Sequence, residues 1–137
     1  VATISRFEEI EAWQLARELT NLVYGFTTQE KFSRDFGLKD QIRRATVSVM
    51  SNIAEGFESQ TQAQFIRYLG IAKASAAEVR SLLYVALDQR YITQAEFQQA
   101  FDLAYQALRK IVRFASYLEL NSQARQVRDE RAEYLID

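Results

Sequence analysis

Apolar positions recur every three to four residues through most of this chain, and the recurrence predicts long helices separated by brief polar breaks. Leu15, Ala16, Leu19, Leu22, Val23 and Phe26 give the core face of a first helix, from about Phe7 to Phe26. Ser5 stands at its N-cap with Glu8 three residues on, the pattern of a capping box, and Glu8, Glu9 and Glu11 suit the positive end of the helix dipole. The polar and charged stretch from Thr27 to Phe36 reads as a connection. A second helix is predicted from about Leu38 to Glu55, with Gly56 as its stop. After a short turn at Ser59 to Gln62, a third helix spans about Ala63 to Asp88. Its Phe65, Leu69, Ala72, Ala76, Val79 and Leu83 form a heptad seam. Thr93 and Glu96 form a capping box for a fourth helix. Phe97, Phe101, Ala104, Leu108, Ile111, Ala115 and Leu118 line its inner face, and Asp102, Gln106, Arg109 and Arg113 its solvated back. That helix is expected to end near Asn121 and Ser122.

Four amphipathic helices with short links imply an all-α, antiparallel up-down-up-down four-helix bundle over residues 1–122. The brief turn at Arg90, Tyr91 and Ile92 makes the third and fourth helices neighbours. Residues 123–137 form a charged C-terminal tail, in which Arg125, Arg128 and Arg131 interleave with Asp129, Glu130 and Glu133. A frayed or projecting helix is expected there. No internal repeat or second domain is visible.

The second helix carries an unusual surface. At about 100° per residue, Gln41, Arg44, Ser48, Ser51, Asn52 and Glu55 fall on one narrow polar stripe. Leu38, Ile42, Ala45, Val49, Ile53 and Phe57 lie to one side of it, and Val47 and Ala54 to the other. The third helix has a second seam of small residues, Ala63, Gly70, Ala74, Ala77 and Ser81, opposite its heptad face. Small side chains let another helix approach closely, although alanine also follows from helix propensity alone. Trp13 and Tyr24 align on one side of the first helix, away from its core face. This is more apolar surface than one bundle uses, and exposed patches of that kind mark association. A homo-oligomer is therefore expected, with Trp13, Tyr24, Gly70, Ala74, Ala77 and Ser81 at its interface.

Composition narrows the chemistry. The 137 residues include no proline and only four glycines, which suits a few long helices better than strands and turns. There is no cysteine, so disulfides and thiolate chemistry are excluded. There is no histidine either, which removes the commonest general base and transition-metal ligand. The net charge of −1 and the pI of 5.6 mean that polyanion binding would need a local basic patch. The uncharged run from Ala45 to Ala54 falls well short of the ~20 residues that cross a bilayer. With no leader visible at Val1, a cytoplasmic protein without membrane contact is expected.

Phe36-Gly-Leu38, Gln41-Ile-Arg-Arg-Ala45 and Ser51-Asn-Ile-Ala-Glu-Gly-Phe57 resemble a bacterial family of four-helix bundles, that of the 23S rRNA intervening-sequence protein. Phe7, Trp13, Ala16, Val23 and Tyr24 also fit, as do Phe65, Leu69, Ala72, Ser75 and Glu78, and Arg90 at a glycine-like turn position before Tyr91 and Ile92. The likeness runs from about Phe7 to Leu120. It implies a protomer that closes into a ring, most readily a pentamer. The family is also related to the accessory variability protein of diversity-generating retroelements, which implies RNA or DNA and a reverse transcriptase as partners. Members often carry proline where this chain has Met50, so the second helix is expected to run straighter here.

Two basic groups are the candidates for phosphate contact. Lys39, Arg43 and Arg44, with Lys31 and Arg34, surround the entry to the second helix, and Arg109, Lys110 and Arg113 sit on the fourth. Repeated around a ring axis they would pool into a positive zone; singly they read as solvated helix faces. Arg44 and Glu55 are roughly 16 Å apart along one helix, too far to form an active-site trio with Asn52. Gln41, Arg44, Ser48, Ser51, Asn52 and Glu55 read instead as a polar network that fixes helix packing. Asn52 can bond Ser48, and Glu55 can reach Ser51 or another helix. No phosphate-cradling glycine loop, metal-binding pair or nucleophile elbow is present. A Glu55–Glu78 carboxylate pair is the one remaining catalytic arrangement. No enzyme, cofactor or metal is expected. The sequence points to a non-catalytic accessory or scaffold protein that binds RNA or DNA, with a purely protein-binding module as the alternative.

Overall fold

The computed structural model describes residues 3–136, with side chains described for residues 3–121. Among the described residues the chain is entirely helical. A 3-10 turn, Phe7–Glu9, precedes α1 (Glu11–Thr27), α2 (Glu30–Arg34), α3 (Phe36–Glu58), α4 (Gln62–Asp88) and α5 (Gln94–Ile136). The four long helices form a bundle in which α1 and α4 each pack against both α3 and α5. Thr20 touches Met50 and Thr27 meets Arg43; Ser48 meets Ser75 and Gly56 meets Phe65. Lys110 reaches Glu11, and Gln62 reaches the Leu118 carbonyl.

Several helix ends differ from the sequence reading. The first helix begins at Glu11, because Ile10 is extended (φ −74°, ψ 120°) and turns its side chain into the core at 2% exposure. The Ser5 N–H and hydroxyl donate to Glu9 at 3.2 and 3.0 Å, whereas Glu8 pairs with Arg6 at 2.9 Å. The expected connection after Thr27 contains α2, whose Phe32 is fully buried against Tyr91, with ring centroids 5.2 Å apart. Asp35 ends α2 and caps α3: one carboxylate oxygen accepts the Leu38 N–H at 3.1 Å and the other accepts the Tyr91 hydroxyl at 3.0 Å. That second bond holds the Tyr91 phenol above its ordinary pKa, since losing the proton would leave two anions in contact.

Gly56 is not a stop. α3 runs through it to Glu58, and Gly56 is buried where α4 crosses. A Cβ there would lie 2.8 Å from Phe65 Cδ1 and 2.9 Å from Tyr68 Cβ. α4 is capped by Thr61, which accepts the Gln64 N–H at 3.1 Å. Its other end closes with Arg90 in the left-handed region (φ 62°) and the Tyr91 N–H on the Ala86 carbonyl at 2.9 Å. The fourth long helix does not end near Asn121 but continues to Ile136. No glycine or proline follows Gln94 to break it. The tail arginines and carboxylates after Asn121 fall outside the described side chains.

The capping box at the head of α5 is reciprocal. Glu96 accepts the Thr93 N–H at 2.9 Å, and Thr93 Oγ1 accepts the Glu96 N–H at 3.1 Å. The backbone bond lowers the Glu96 pKa, with further help from Gln29. A depressed folded-state pKa contributes stability that is fully present above the unfolded value, near 4.3, and is lost as pH falls through the folded one. We expect the urea midpoint of wild type to fall more steeply with acid below about pH 4.5 than that of Glu96→Gln. Parallel midpoint-against-pH curves for the two would refute this.

The core lies end to end in two zones. Leu19, Val23, Phe32, Ile42, Leu83 and Leu103 fill one zone, and Ile10, Val49, Ile53, Leu69, Ala72 and Ile111 the other.

Candidate functional surfaces

The polar stripe of α3 separates into three pieces. Ser48 Oγ lies 2.8 Å from Ser75 Oγ, and Asn52 Nδ2 donates to the Ser48 carbonyl at 2.8 Å and to its hydroxyl at 3.0 Å. Gln41 donates to Glu78 at 3.1 Å. Arg44 pairs with Asp40 at 3.0 Å, one turn away on the same exposed face. The Asn52–Ser48 contact is the one the sequence suggests. Glu55 is exposed and forms no ion pair among the described residues. Ser51 lines an open groove of about 540 Å³ with Tyr24, Asp40, Arg43, Arg44 and Val47. The Gln41 contact places Glu78 roughly four turns along α3 from Glu55, so these carboxylates form no pair. Among the described residues, no cluster of histidine, cysteine or carboxylate side chains is arranged to hold a metal.

The six basic candidates are not gathered on one protomer. Lys39, Arg43 and Arg44 belong to α3, and Arg109, Lys110 and Arg113 to α5, two helices that flank α1 and α4 rather than each other. Several already have partners. Arg43 Nε donates to Thr27 Oγ1 at 2.8 Å, and its guanidinium lies 4.4 Å from the Tyr24 ring centroid. Lys110 pairs with Glu11 at 2.7 Å, and this bond depresses the Glu11 pKa. Lys39 covers the Phe36 ring at 5.2 Å. Arg113 is exposed.

The interface candidates divide as well. Gly70, Ala74, Ala77 and Ser81 are all exposed on the outer side of α4, where Ile71 and Val85 are 41% and 42% exposed. A Cβ added at Gly70 would meet nothing within 4 Å, so no contact within the protomer calls for glycine there. Tyr24 is exposed beneath Arg43. Trp13 is half-buried, edge-on to Phe7 at 5.2 Å and covered by Arg17 at 5.7 Å. Packing with the 3-10 turn therefore accounts for Trp13 within the protomer. Ser75 and Thr27, which complete the Ser48 and Arg43 contacts, escape a sequence reading because both depend on which faces of separate helices meet.

Residues 8–113 match the family described as 23S rRNA-intervening sequence protein. The chain belongs to this family. A crystal structure of a protein of unknown function from the S23 ribosomal protein family of Bacteroides thetaiotaomicron has a similar fold, with a TM-score of 0.70. The two are 23% identical, and the similarity covers 76% of this chain and 97% of the other. No curated protein matches the chain. No helix of this family member is long and apolar enough to cross a membrane among the described residues.

Proposed function

We propose that this family member is a non-catalytic, homo-oligomeric scaffold. Its protomer is an antiparallel up-down-up-down four-helix bundle, and its copies close into a barrel, with the pentamer as the form the sequence resemblance implies. The observation that carries this reading is the outer face of α4. Gly70, Ala74, Ala77 and Ser81 are bare, with half-exposed Ile71 and Val85 beside them. Glycine inside a helix is less favourable than alanine by roughly 1 kcal/mol, and no neighbour within the protomer requires it at position 70. A helix of another copy, approaching closely, supplies the reason.

Light scattering on a sizing column tests the assembly. Wild type is expected to elute as an oligomer at micromolar concentration. Ala74→Arg, which adds a long cation at an exposed position, is expected to yield smaller species with unchanged helicity. A wild-type monomer would sink the proposal.

A second reading adds RNA or DNA as a ligand, held by Lys39, Arg43, Arg44, Arg109, Lys110 and Arg113 pooled across copies, with a reverse transcriptase as a partner of the complex. It rests on the family resemblance and on the cations of α3 and α5, of which Arg44, Arg109 and Arg113 are exposed. Such binding would weaken steeply with added salt. An assembly that binds no nucleic acid at low salt would be a protein-binding module alone. Both readings place the protein in the cytoplasm, without cofactor or metal.

A further inference from the structure

Arg80 is the one residue among those described with a buried side-chain nitrogen that lacks a hydrogen-bond partner, its Nε. Buried polar atoms without partners are rare enough to need a reason. The guanidinium lies on two aromatic rings of α5, with its carbon 4.5 Å from the Phe101 centroid and 4.9 Å from that of Tyr105. Arg109 reaches the same Tyr105 ring at 5.8 Å. Two cations thus share one half-exposed tyrosine, and neither belongs to an ion pair among the described residues. Asp102, beside Phe101, accepts from Gln98 at 2.8 Å instead. One turn along α4 from Arg80, Tyr84 packs on Phe97 and Phe101 at 4.9 and 5.4 Å and remains 50% exposed.

We infer that Arg80, Tyr105 and Arg109 form a contact site for single-stranded nucleic acid on the outer seam of α4 and α5. The guanidiniums bind backbone phosphate, and the exposed part of Tyr105 stacks a base. The inference rests on the nucleic-acid reading above and centres it on the α4–α5 seam, with Arg109 the one cation the two share. Stacking holds an arginine plane flat and leaves its outer nitrogens free for an oxyanion. This interleaving of cation and aromatic is what non-specific strand binding uses. Cations also lie over rings in the α3 group, Arg43 over Tyr24 and Lys39 over Phe36, but there Arg44 is spent on Asp40 and Arg43 Nε on Thr27.

Fluorescence anisotropy of a labelled oligouridine on the full chain tests the site. Arg109→Gln is expected to weaken binding about fivefold at low salt and to reduce the salt slope by about one. Tyr105→Leu is expected to weaken it about tenfold with the slope unchanged. Both positions are exposed, so each variant should keep wild-type helicity. Arg17→Gln, an equal change of charge on α1, should bind as wild type. Wild-type affinity in both Arg109→Gln and Tyr105→Leu, with loss on Arg44→Gln, would overturn this site and leave the broader reading standing. A defect in Arg109→Gln alone would overturn the strand assignment in favour of a bare phosphate contact. No binding by wild type at low salt would overturn both.

Discussion

Phe32→Ala is expected to destabilise the protein by about 3–5 kcal/mol, the usual loss when a fully buried aromatic is cut to a methyl. Phe32 is 0% exposed, although it sits in a helix of only five residues within a charged stretch. It joins the core zone of Leu19, Ile42 and Leu83 and lies against Tyr91 from the turn between α4 and α5. Total stabilities of domains lie at about 5–15 kcal/mol, so the variant should lose a large share of the total and have a urea midpoint well below that of wild type. Denaturation followed by circular dichroism measures this. A loss under about 1 kcal/mol would mean that α2 contributes little to the core, against its observed burial.

Gly56→Val should rank beside it. The added Cβ would begin 2.8 Å from Phe65 and 2.9 Å from Tyr68 Cβ, an atom fixed to the α4 backbone, so α3 and α4 must separate. Overpacking of this kind costs about 1–3 kcal/mol, and the two further methyl groups place valine at the upper end. Gly70→Ala is the matched control. It meets open space in the protomer and should raise helix stability by up to about 1 kcal/mol. Equal effects at the two glycines would refute the packing argument. A Gly70→Ala defect confined to assembly would report a neighbour outside the protomer.

These glycines also mark where the sequence is readable and where it is not. Both are helical, and only the path of another helix separates a packing glycine from a terminal one. The apolar repeats of α1, α4 and α5 and the Thr93–Glu96 cap are local patterns, so their elements were legible. α2 is too short for any periodicity to declare it, and its one signal is a lone phenylalanine between charges. α5 outruns its expected end because Asn121 and Ser122 are weak breakers. The basic groups on α3 and α5 look alike in one dimension, but their separation follows from which helices are neighbours. The aromatic seat of Arg80 likewise appears only when Phe101 and Tyr105 arrive from α5.

The Ser48–Ser75 bond bears on how the chain finds its native alignment. Apart from Gly56 against Phe65 and Gln41 on Glu78, the facing surfaces of α3 and α4 are largely aliphatic and would tolerate sliding. A slip of one helical turn would set the Ser48 hydroxyl against Val79 or Ile71, strip it of its mate and penalise the misaligned hairpin. Two small alcohols thereby index one rod against the other, as a single polar residue does in a coiled coil.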